Sequence, residues 1–127
     1  MKAALFDTNI LIDYLKDRQE AVLLLDHCLK DGSTLICSLI TKVELLNGAM
    51  PGEEEALQDF LNAFERVGLD DLIAEEAGRY MNLYRKSHGI NIADAIIAAT
   101  ALVKGAKLYT LNNRRFPMSD VAVIKPY

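Results

Sequence analysis

AALFDTNILIDYL, residues 3 to 15, decides the fold. Four apolar residues run into Asp7, and a helical pattern takes over directly afterwards. A short apolar run closed by an acid reads as a buried strand, here residues 3 to 6. Residues 9 to 15 read as a short helix, so Asp7 stands where a strand hands over to a helix.

The same handover recurs along the chain. Residues 34 to 39 form a second apolar run, and a short helix is predicted from Thr41 to Gly48. Residues 107 to 110 and 121 to 124 form two more runs, and a brief strand is expected over residues 67 to 69. Between them lie helical patterns. Asp17 is expected to cap a helix, with Glu20 as capping-box partner and Ala21, Leu24, Leu25, Cys28 and Leu29 on its inner face. Pro51-Gly52 is a turn. Residues 53 to 64 make an amphipathic helix with acids in its first turn. Asp70 or Asp71 caps a long helix that Gly89 stops, and residues 92 to 104 make a very apolar helix ended by Gly105. Alternating strands and helices imply an α/β domain over residues 1–127, with a central parallel sheet of four to five strands and helices on both faces.

The chain has 127 residues and is 51% hydrophobic, which excludes a disordered chain. Asp7 and Asp13 interrupt the first apolar stretch, so neither a signal peptide nor a membrane span is read there, and the expected location is cytoplasmic, with no membrane partner. Cys28 and Cys37 lack a CxxC neighbour and are expected as buried thiols. The net charge of −4 argues against a nucleic-acid partner only until its distribution is considered. Residues 53 to 76 carry nine acids against Arg66 alone, whereas Arg79 to the end carries eight bases and two acids.

In open parallel sheets, ligands bind beyond the carboxyl ends of the strands. Four stretches are expected there: Asp7-Thr8-Asn9, Thr41-Lys42-Val43-Glu44, Asn91-Ile92-Ala93-Asp94 and Thr110-Leu111-Asn112-Asn113. Each has a local explanation. Asp7 can cap a helix, Thr41 and Glu44 have capping-box spacing, Asp94 suits a helix N-terminus, and the asparagines suit a turn. Together they say more. Three carboxylates from distant segments, Asp7, Glu44 and Asp94, gather at one sheet edge, an arrangement that is unfavourable without a cation. With no His or Cys among them, Mg²⁺ or Mn²⁺ suits the oxygen donors better than zinc.

LFDTNILIDYL (5 to 15), TKVELLNG (41 to 48), IADAIIAATALVKGAKLYT (92 to 110) and TLNNRRF (110 to 116) together resemble the PIN-domain nucleases, most of all the VapC-type toxins of toxin–antitoxin pairs. The resemblance spans the chain in the right order. It implies a PIN-like fold and a metal-dependent endoribonuclease, with Asp7, Glu44 and Asp94 as catalytic metal ligands. It also implies an RNA substrate, a VapB-type antitoxin partner and a homodimer. Many PIN domains have a fourth acid where this chain has Asn112. An asparagine can offer a carbonyl oxygen or orient a water, and the missing charge leaves the number of ions open. Thr8 and Thr110 are expected to position water or phosphate, and Arg114 and Arg115 to meet RNA phosphates. Ile10, Leu11 and Leu15, with the helix from Glu53, are the face expected to receive the antitoxin or a second subunit. Two other readings are a PIN scaffold that only binds a partner and a receiver-like signalling domain. The receiver is disfavoured because no phospho-acceptor aspartate ends the central strand beside an acidic pair.

Overall fold

The structure, a computed structural model, describes residues 2–127. Strands β1 (Ala3–Phe6), β2 (Thr34–Ser38), β3 (Glu65–Val67), β4 (Lys107–Tyr109) and β5 (Val123–Ile124) form one sheet in the order β3-β2-β1-β4-β5, and every neighbouring pair is parallel. Helices α1 (Thr8–Leu15), α2 (Gln19–Lys30), α3 (Leu39–Asn47), α4 (Glu54–Leu61), α5 (Asp71–His88) and α6 (Ile92–Lys104) connect them. This is the expected α/β architecture.

Successive side chains of a strand point to opposite faces, so a sheet covered on both sides needs apolar residues at every position. That is what β1 and β2 supply. Leu5, Ile36 and Leu108 join the core beneath α5 and α6, while Ala4, Phe6, Leu35 and Cys37 join a second core with α1, α2 and α4. Ala95, Ala98, Ala99 and Ala101 of α6 are almost completely buried, and their small side chains let that helix lie close to its neighbours. Both cysteines are buried free thiols, and burial pushes Cys37 up to about 11. Among the described residues, no helix is long and apolar enough to cross a membrane.

Helix α6 has the expected bounds, and Asp70 and Gly89 start and stop α5 as expected, with Gly89 at φ 63°. Four local expectations fail, one being Leu29, which is 60% exposed and not on the inner face of α2. Helix α3 begins at Leu39, where Ser38 accepts the Ile40 N–H at 3.2 Å, so Thr41 lies inside the helix and no Thr41–Glu44 capping box forms. Asp17 does not cap α2. It sits at φ 59°, a left-handed conformation that aspartate tolerates better than most residues, and it closes the turn before Arg18. Strand β3 lies earlier than expected because Glu65 and Val67 pair with Ile36 and Ser38 of β2.

Candidate active site

Asp7 is the first residue beyond β1, and its N–H donates to the Tyr109 carbonyl of β4 at 2.9 Å. The sheet therefore fixes its backbone. Its carboxylate is fixed as well: Oδ1 accepts the Thr8 N–H at 2.8 Å and Oδ2 accepts the Thr110 hydroxyl at 2.7 Å. Asp7 is 7% exposed. Burial holds its carboxyl above the usual carboxylate range, the bonds from Thr110 and Thr8 pull it down, and the charges of Asp94 and Glu44 push it up. Asp94 and Glu44 thus both act on Asp7 across the sheet edge.

Glu44 occupies the second turn of α3 and is exposed. Its Oε1 accepts the Thr8 hydroxyl at 2.7 Å. Thr8 Oγ1 also lies 3.1 Å from Thr41 Oγ1, and Thr41 is fully buried. Thr8 has one hydroxyl proton and the carboxylate takes it, so Thr41 donates to Thr8. Asp94 sits in the first turn of α6. Asn91 Oδ1 accepts the Asp94 N–H at 2.8 Å, and Asp94 Oδ2 accepts the Asn91 N–H at 3.1 Å. Asp94 therefore closes a capping box with Asn91, beyond the helix-dipole preference expected of it, and Oδ1 remains outside that box. Arg115 Nη1 stands 3.5 Å from Oδ2.

Asn112 lies on the same edge but is exposed. Its N–H donates to Thr110 Oγ1 at 3.0 Å, while its side chain makes no hydrogen bond within the described residues. Thr110 thus relays a contact from Asn112 to Asp7. Thr8 and Thr110 were expected to hold water or phosphate, yet both hydroxyl protons go to carboxylates. These two residues position acids. Only their spacing after the strands hinted at that role, and nothing in the sequence pointed to Arg115 beside Asp94.

A groove of about 540 Å³ runs between α1, α3 and α4, with Ile12, Leu15, Leu45 and Leu57 among its walls and Glu44 in its lining. Of the three acids, it reaches Glu44 alone. Ile12 and Leu15 present the exposed face of α1, whereas Ile10 and Leu11, expected on that face, are wholly buried in the core.

The oxygen donors fit a hard divalent ion. Among the described residues, no three acidic, histidine or cysteine side chains come together in a group that could hold a metal ion. Mg²⁺ does not need three, since it keeps several waters and takes one or two carboxylates plus a phosphate. The repulsion felt by the buried Asp7 carboxylate is the feature that an ion would relieve.

Known proteins share this framework. Ribonuclease VapC19 of Mycobacterium tuberculosis is 39% identical over 115 residues, covering 90% of this chain and 92% of that protein. Ribonuclease VapC10 of the same organism is 36% identical over 117 residues, covering 91% and 87%. A toxin-antitoxin complex from Klebsiella pneumoniae contains a chain with a TM-score of 0.82 and 33% identity, covering 98% of both. The PIN-domain family matches residues 4–123. Strand order, acidic edge and kinship agree, and the chain belongs to the PIN-domain family, alongside the VapC ribonucleases.

Proposed function

We propose that this protein is an endoribonuclease, dependent on Mg²⁺ or Mn²⁺, that acts as the toxin of a toxin–antitoxin pair in the cytoplasm. The observation that carries this reading is the buried Asp7 carboxylate, set against Asp94 and Glu44 in a chain whose relatives are named ribonucleases. Asp7, Glu44 and Asp94 are the residues that would hold the ion. When bound, such an ion lowers the pKa of a coordinated water and neutralises charge on a phosphoryl oxygen. The protein's own part is to fix the acids. Thr110 and the Thr8 N–H orient Asp7, the Thr8 hydroxyl orients Glu44, and the Asn91 N–H orients Asp94. Asn112, exposed at the rim, would meet water or substrate in this reading.

The partner in this reading is a VapB-type antitoxin, supported by the likeness to a toxin-antitoxin complex. The α1–α3–α4 groove is its proposed seat, because an apolar segment filling it would lie against Glu44. The reading includes a homodimer. Leu39 and Val43 of α3, with Leu69 and Leu72 around the start of α5, are exposed apolar residues available to a second copy.

Purified protein is expected to cut structured RNA in Mg²⁺ or Mn²⁺ and to stop in EDTA, and Asp94→Asn is expected to abolish cutting while the fold persists. Undiminished cleavage in excess chelator would overturn the metal-dependent mechanism. The absence, among the described residues, of three such side chains grouped to hold a metal ion favours a second reading, a PIN scaffold that only binds a partner. Failure to cleave RNA in either ion, with the antitoxin still bound, would support it.

A further inference from the structure

Arg115 is the one cation paired with any of the three acids among the described residues, at 3.5 Å from Asp94. Its neighbour Arg114 forms no ion pair among them. The turn that carries Arg115 is anchored on both sides. On one side, Asn112 is tied to the buried Thr110, and the Arg115 N–H donates to the Asn112 carbonyl at 3.1 Å. On the other, Phe116 and Met118 sit in the core. Beyond them, Asp120 accepts the Tyr80 hydroxyl at 2.7 Å and Arg79 Nη2 at 2.8 Å. An arginine on so constrained a turn is aimed by the backbone at the acidic edge.

We propose that Arg115 is a built-in counter-ion that exchanges partners. Without a divalent ion it neutralises Asp94. When an ion takes the free Oδ1 of the Asp94 carboxylate, its charge weakens the hold of Oδ2 on Arg115, which turns to a phosphate of the RNA. The inference rests on the metal-dependent ribonuclease reading and adds to it a substrate-positioning residue. The pair suits such an exchange because it is a single contact from a side chain that is 44% exposed, and pairs of this kind are weak. The released guanidinium is well shaped for phosphate, which it can grip through two N–H groups. Exchange couples the two ligands: metal binding improves RNA binding by freeing Arg115, and RNA improves metal binding to the same degree.

Calorimetric titration of Mn²⁺ into the full metal-free chain tests this. Arg115→Gln is expected to bind Mn²⁺ about two- to fivefold tighter than the wild type, the scale of a part-exposed ion pair. Arg114→Gln removes the same charge one residue away and is expected to match the wild type, and Arg115→Lys to fall between. Binding of a non-cleavable 2′-O-methyl RNA, followed by anisotropy, gives a second readout: Mn²⁺ is expected to strengthen it more in the wild type than in Arg115→Gln. Wild-type Mn²⁺ binding with an unchanged or weaker Arg115→Gln overturns the exchange alone, as does an equal gain in Arg114→Gln. If neither wild type nor variants bind Mn²⁺, the metal-dependent reading falls and the exchange falls with it.

Discussion

Thr8 gives its hydroxyl proton to Glu44 at 2.7 Å, joining residues 36 positions apart in the chain. The bond crosses from the start of α1 to the second turn of α3. It holds an exposed carboxylate near enough to act on the buried one of Asp7, and it leaves Thr8 Oγ1 to satisfy the buried Thr41 hydroxyl.

Thr8→Val removes that oxygen at little cost in volume. Thr41 is then left without its partner, and a buried hydroxyl without one costs about 1–3 kcal/mol. Urea denaturation is expected to show a loss of that size, accompanied by reduced RNA cleavage. Thr8→Ser keeps the hydroxyl and is expected to retain most of both. Equal stability of Thr8→Val and the wild type would show that Thr41 finds another partner.

Asp7 makes stability depend on pH in a definite direction. Its carboxyl is raised above the usual 3.8, chiefly by burial, so the folded state holds the proton more tightly than the unfolded state does. The charged form is the costly one in the fold. The cost is absent below the ordinary carboxylate range and develops as pH rises through the folded value. Asp7→Asn keeps the cap and the shape. In chelator it is expected to melt higher than the wild type at pH 7, with the gap closing towards pH 4, and to lose cleavage entirely. A gap that stays constant with pH would show that Asp7 is not strained by its charge.

Glu44→Gln separates charge from geometry. Because α3 starts at Leu39, Glu44 has no capping duty, and a glutamine oxygen can still accept from Thr8. The variant is expected to equal or exceed wild-type stability without metal. An ion that binds only the folded state adds about 2.7 kcal/mol at a hundredfold excess over Kd. Millimolar Mn²⁺ is therefore expected to raise the melting temperature of the wild type, and to raise that of Glu44→Gln by less. NaCl of matched ionic strength is expected to do neither. A full Mn²⁺ shift in Glu44→Gln would remove Glu44 from the site.

Asp120→Ala frees the segment after Arg115 from α5. Tyr80 loses its acceptor and Arg79 loses one of two, since Glu76 still accepts from it at 2.8 Å, and a loss of about 1–3 kcal/mol is expected on denaturation. Cleavage is expected to fall further than in Tyr80→Phe, which leaves the Arg79–Asp120 pair in place. Identical activities of the two variants would show that the Asp120 anchor does not position the turn.

What was legible in the sequence follows from the range of the forces involved. Helix α6 was found with its true bounds because an apolar run between Asn91 and Gly105 is local information. Asp7, at the end of an apolar strand, was found for the same reason. The start of α3 was missed because Leu39 and Ile40 extend the apolar run of β2, and only Ser38 marks the change. Asp17 misled because aspartate serves helix caps and left-handed turns alike. The links from Thr8 to Glu44, Arg115 to Asp94 and Tyr80 to Asp120 join distant segments, and no periodicity encodes them. Ile10 and Leu11 are wholly buried because tertiary packing turns that side of α1 into the core, which the pattern of a short apolar helix does not encode.

The bond from Thr110 to Asp7 spans 103 residues, and β1 lies between a strand made early and one made late in synthesis. A chain growing from its N-terminus contains all three acids by residue 94, yet the Tyr109 carbonyl and the Thr110 hydroxyl that fix Asp7 arrive only with residues 109 and 110. The arrangement seen here cannot form on a nascent chain that stops earlier. For a protein proposed to cut RNA, the order of its strands means that a product truncated before residue 109 carries the three acids without the framework that holds Asp7.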